Sequence, residues 1–107
     1  MKYLDLSYNQ VEVLTGIDKL YALVNLNLSY NYIDDYREII VISRLPCLEH
    51  ISLLGNPISD MPEYRVLTFQ HFLMDGSVMQ TGRDVPTLDG FAMTASEVNL
   101  LRYRMNE

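Results

Sequence analysis

Cysteine is almost missing from this sequence: Cys47 is the sole one, so no internal disulfide framework can form. That suits a reducing compartment, and a cytoplasmic location is expected. Basic residues are also scarce. Eight Lys and Arg stand against fourteen Asp and Glu, a formal net charge of −6. The deficit is concentrated in residues 1–63, which hold nine acids and four bases. A chain of this charge lacks the basic face that phosphate backbones require, so nucleic acid is excluded as a partner. Attraction to an anionic membrane is excluded on the same ground. Long apolar runs are absent too. The longest, Ile39–Ile42, is far too short to cross a bilayer, and the first residues lack the apolar stretch and cleavage site of a signal peptide.

Chemical motifs are equally sparse. No glycine loop followed by Lys is present to cradle a phosphate. His50 and His71 have no metal-ligand spacing to Cys47. Cys47, which follows Pro46, is expected as a buried structural thiol. No catalytic, metal-binding or cofactor-binding residue is assigned, and the chain is read as not an enzyme.

What the sequence does contain is a hydrophobic half (49%), enough for one small globular domain. It also contains one motif three times: Leu4-x-Leu6-x-x-Asn9, Leu26-x-Leu28-x-x-Asn31 and Ile51-x-Leu53-x-x-Asn56. Between the first two copies, Val11, Leu14, Ile17, Leu20, Leu23 and Leu26 recur at every third position. A step of three is neither the helical 3.6 nor the strand period of 2, and it fits extended and 3₁₀-like turns. The apolar pairs alternate as in a strand with one face in a core. The three Asn are expected to stack as a ladder, since an amide both donates to and accepts from backbone groups that water cannot reach.

The second copy is three residues longer than the first. Asp35 followed by Glu38 resembles a capping box, and Ile39 and Ile42 share a helical face, so a short helix is predicted over 36–44, ended by Pro46. After Asn56, Asp60 is expected to cap a helix that has Pro62 in its first turn and Val66, Phe69, Phe72 and Leu73 on its inner face. Gly76–Asp84 reads as a loop. Val85–Gly90 reads as a truncated fourth strand, and Thr94 with Glu97 as a capping box opening a last helix to about Met105.

These residues carry a resemblance. The x-Leu-x-Leu-x-x-Asn motifs are the signature of leucine-rich repeats of the 22-residue class. Leu53-x-Gly55-Asn56-Pro57-Ile58, then Pro62-Glu63-Tyr64-Arg65, then Leu88-Asp89-Gly90 with Glu97 resemble the C-terminal cap of that class. Leu45-Pro46-Cys47-Leu48-Glu49 with Tyr64-Arg65-Val66-Leu67 and Phe69 is most similar to the nischarin family. The resemblance implies an α/β fold: a short right-handed solenoid with parallel strands on a concave face, 3₁₀ and short helices on the convex face, and a helical cap. It divides the single domain 1–107 into repeats at about 1–22, 23–47 and 48–61, with the cap at 62–107. It implies a protein–protein interaction scaffold, with a small GTPase, a kinase or an integrin tail as nischarin-like partners. The rival reading is a structural end-capping or oligomerisation fragment of a longer repeat protein.

Strand positions that alternate with the core leucines give the expected partner-binding residues: Tyr3, Asp5, Asn25, Asn27, Ser29, His50 and Ser52. Tyr30, Tyr32 and Tyr36, beside Asp34 and Asp35, form a second place where a basic partner could dock. No cap precedes the first strand in this sequence. Leu4, Leu6, Val11 and Leu14 are therefore expected to present an apolar self-association edge through which copies would pair.

Overall fold

The computed structural model describes residues 1–75 and 85–105; the expected loop at Gly76–Asp84 lies outside the described residues. Four short strands, β1 (Tyr3–Asp5), β2 (Asn25–Asn27), β3 (His50–Ser52) and β4 (Thr87–Leu88), form one parallel sheet in sequence order. The register aligns Leu4 with Leu26, Leu26 with Ile51, and Ile51 with Leu88. Each aligned apolar residue points inward. Leu26, Leu28, Ile51, Leu53 and Leu88 are buried to 1% exposure or less. Burying one such side chain fully is worth about 1.5–3 kcal/mol.

The return segments close the core from the other side. The three-residue spacing ends in a 3₁₀ helix at Ile17–Lys19, opened by Gly16 at φ 93. The longer second repeat uses its extra residues for α1 (Tyr36–Ser43), which buries Ile39 and Ile42. Asp35 caps α1 by accepting the Arg37 N–H at 2.8 Å. The capping box is incomplete, however. Glu38 reaches away from the cap to the first repeat, where its carboxylate accepts the Leu14 N–H at 2.8 Å. That N–H has a stronger claim on the acid, because a half-buried amide without an acceptor is costly.

The third repeat closes in a 3₁₀ helix at Pro57–Asp60, so Asp60 ends that turn and does not cap the next helix. Helix α2 (Tyr64–Asp75) begins later than the sequence implied. Glu63 adopts φ 60, outside any right-handed helix, while its carbonyl accepts the Leu67 N–H. Tyr64, Thr68, Phe69 and Phe72 of α2 are buried over the end of the stack. Helix α3 (Ala95–Met105) buries Leu101. Its capping box is complete: Thr94 N–H donates to Glu97 and Glu97 N–H donates to the Thr94 hydroxyl. Cys47 is exposed, against expectation. It occupies a turn with Pro46, and the buried places on either side are taken by Leu45 and Leu48.

Candidate partner-binding face

The register sets the outward-facing residues in rows. Tyr3, Asn25, His50 and Thr87 form one row, and Asp5, Asn27 and Ser52 form the next. Ser7, Ser29 and Leu54 continue the pattern beyond the strand ends. Tyr3, Asp5 and His50 are exposed, and Asn25, Asn27, Ser29 and Ser52 are half-buried. All seven residues expected from the sequence thus share this face.

Several of these side chains are held in place. The Asp5 carboxylate accepts the Ser7 hydroxyl at 2.6 Å and the Ser7 N–H at 2.9 Å. The hydroxyl bond first, and then the N–H bond, holds its pKa below the usual carboxylate range. Asn27 Oδ1 accepts the Ser29 N–H at 3.0 Å, the same turn one repeat later. His50 Nδ1 lies 2.7 Å from the Thr87 hydroxyl. Thr87 lies on the fourth strand expected at Val85–Gly90, but that segment has no Asn-containing motif to fix which of its residues face outward.

Next to this face runs a column of left-handed residues. Tyr8 (φ 58), Tyr30 (φ 60) and Gly55 (φ 76) each precede the repeat Asn. The Tyr8 and Tyr30 rings stack, with centroids 4.6 Å apart and planes 9° apart. Gly55 is required here: a Cβ on it would fall 2.4 Å from Cδ1 of Tyr30. The column places Tyr8 and Tyr30 at the rim of the face, 75% and 49% exposed. Tyr36 does not join Tyr30 and Tyr32 there. It turns inward to stack on His71, and its buried hydroxyl is raised in pKa by burial and then by Glu63. Asp35 is likewise occupied, by Arg37 at 2.6 Å.

Beneath the face, the asparagines bridge turns. Asn31 Oδ1 accepts the Val11 N–H, and its amide donates to Leu6 O and Leu28 O. Asn56 repeats this with the Ile33 N–H, Leu28 O and Leu53 O. Asn9 is exposed and, among the described residues, bonds only within its own turn, to Leu6 O and Ser7 O. At the β1 end, Leu4, Leu6 and Val11 are half-buried. Leu14, expected at the surface, is only 3% exposed because the 3₁₀ turn and α1 pack around it. All four still line an open concavity of about 340 Å³, together with Ile17 and Leu20.

At the opposite end the sheet is sealed. Arg65 pairs with Glu97 at 2.9 Å, donates to Leu88 O, and lies 5.1 Å above the Phe69 ring. Burial alone would raise the Glu97 pKa, but the Arg65 bond and the Thr94 N–H bring it below the ordinary glutamate range. Arg104 pairs with Glu63 at 2.8 Å.

The fold recurs in known structures. A chain of the Drosophila melanogaster SNF/U2A′ complex matches all of this chain with a TM-score of 0.79 at 21% identity, over 57% of its own length. The fold is a leucine-rich-repeat solenoid. A chain of the Chaetomium Mex67:Mtr2 subunits matches 96% of this solenoid with a TM-score of 0.65 at 22% identity, over 68% of its length. Human serine/threonine-protein kinase 11-interacting protein is 33% identical over 82 residues, 66% of this chain. The chain spans 8% of that relative's length. No protein-family model matches the solenoid. Among the described residues no helix is long and apolar enough to cross a membrane.

Proposed function

We propose that this solenoid is a non-enzymatic protein-interaction module whose concave face, Tyr3, Asp5, Asn25, Asn27, Ser29, His50 and Ser52, receives another protein in the cytoplasm. The observation that carries the reading is the row geometry. Short parallel strands in strict register set polar side chains side by side on one open sheet surface, with Asp5 and Asn27 oriented by their own turns. Side chains locked before contact lose less entropy when a partner binds. His50 and Thr87 form the nearest approach to a base and a hydroxyl nucleophile. His50 is exposed, and among the described residues no acid is bonded to the imidazole in the way a catalytic constellation needs. It reads as part of the docking surface.

The nischarin-like reading names a small GTPase, a kinase or an integrin tail. A kinase is the partner class we place first, because the human relative is named for interacting with one. The test titrates purified serine/threonine-protein kinase 11 against the native chain and against a triple variant, Asp5→Lys with Asn27→Ala and His50→Ala. The expected result is binding by the native chain, at least tenfold weaker in the variant, while both unfold within about 5 °C of each other. Equal binding by both would move the partner off this face. The rival, an end-capping role with no partner site of its own, draws on the Arg65–Glu97 seal. It gains if neither chain binds.

A further inference from the structure

We infer that the cleft between α2 and α3 binds a small amphipathic acid, a single aliphatic chain that ends in a carboxylate. The inference is independent of the concave-face reading, since the cleft lies in the cap and shares no residue with that face.

The cleft follows from the way α3 packs. Val98, Leu101, Arg102 and Met105 stand at i, i+3, i+4 and i+7, so they form one stripe of the helix. Only Leu101 of this stripe is buried. The stripe faces Leu73 of α2 and Met93 of the preceding turn without closing on them, and these residues surround a concavity of about 310 Å³. That volume is at the small end of ligand sites, and apolar walls with one polar group are their usual anatomy. Met93 and Met105 are unbranched and polarisable, so they can mould to a flexible chain.

The polar group sets the charge of the occupant. Arg65 is held by Glu97, and Arg104 by Glu63. Arg102 is part of the cleft wall, and among the described residues it has no acidic partner. Its guanidinium is a planar fork of N–H donors that fits a carboxylate. Arg102 also stands in the last turn of α3, where the free carbonyl ends disfavour an anion. A carboxylate in this cleft therefore depends on the guanidinium. A partner helix fits less well. Leu100 and Tyr103, also exposed on α3, lie on the side away from the cleft, so the stripe does not broaden into a docking face for a helix.

The test titrates octanoate and octanol into the full chain with isotopically labelled methionine methyl groups. Saturable binding is expected to shift the Met93 and Met105 signals and leave Met61 unmoved. Octanoate should bind about fivefold more tightly than octanol. Arg102→Gln should bring octanoate to the affinity of octanol with the unfolding midpoint unchanged, since the side chain is exposed. Met105→Glu, also at an exposed position, should weaken octanoate by placing a like charge on the wall. No saturable binding, or shifts at Met61 as large as those at Met93, would overturn the inference. So would equal binding of acid and alcohol by the native chain, or a preference for the acid that survives Arg102→Gln.

Discussion

Asp89 Oδ1 accepts the Leu53 N–H at 2.7 Å, in the place that a strand carbonyl holds for Leu6 and for Leu28. A side chain thus takes over from the backbone just where the short strand β4 ends. The second carboxylate oxygen accepts the Tyr64 hydroxyl at 2.8 Å, which ties the last repeat to α2. Burial, then this bond, pushes the Tyr64 pKa well above the tyrosine range.

Asp89→Ala should therefore cost roughly 2–4 kcal/mol, because it strands a backbone N–H and a buried hydroxyl together. Tyr64→Phe, which removes only the second donor, should cost about 1 kcal/mol. Urea unfolding of the three chains checks the order; equal losses would show that Asp89 acts through Tyr64 alone.

The ladder gives a graded series. Asn56→Ala should cost roughly 2–4 kcal/mol, since it leaves the Ile33 N–H without its acceptor and takes the amide donor from the Leu28 and Leu53 carbonyls in a fully buried site. Asn31→Ala should be similar, and Asn9→Ala should cost less than about 1 kcal/mol. Denaturant midpoints measure this, and a flat series would refute the bridging role.

Gly55→Ala should cost about 1–2 kcal/mol from its positive φ alone, and more if Tyr30 cannot move. The companion change Tyr30→Ala should recover part of the loss by vacating the space. Failure of that rescue in a double-mutant cycle would locate the strain in the backbone only.

Glu97 sets an acid dependence. Its folded-state pKa is depressed, so its contribution is present above the ordinary glutamate range. The contribution is lost as pH falls through the folded value, because the unfolded chain then binds the proton more readily. Glu97→Gln should flatten that part of the stability–pH curve, and an unaltered curve would assign the acid loss to other carboxylates.

Cys47, being exposed, should react fully with a thiol reagent in the native state. Reaction only after denaturation would restore the buried reading.

The sequence makes the stack legible because its period is enforced by the core. Leu26, Ile51 and their neighbours must alternate and must align, so a fixed offset to Asn follows. The same logic misplaces Cys47, since it assigns burial by residue type where a Pro46 turn decides the direction. It also misses Glu38 at Leu14 and Asp89 at Leu53. Those bonds join residues 24 and 36 positions apart, and no local pattern announces them. The start of α2 is hidden for a different reason: Pro62 favours a first helical turn, but the left-handed Glu63 that follows delays it. On the candidate face, the strand alternation gives the rows, while the partner of His50 lies on a fourth strand that is legible but carries no motif to fix its register.

The stacked rings of Tyr8 and Tyr30 have an optical consequence. With no tryptophan in the chain, near-ultraviolet light is absorbed mainly by tyrosines, and two of them lie face to face at 4.6 Å. Their coupled transitions make a built-in chromophore at the rim of the first two repeats, so circular dichroism can follow docking there without any added label.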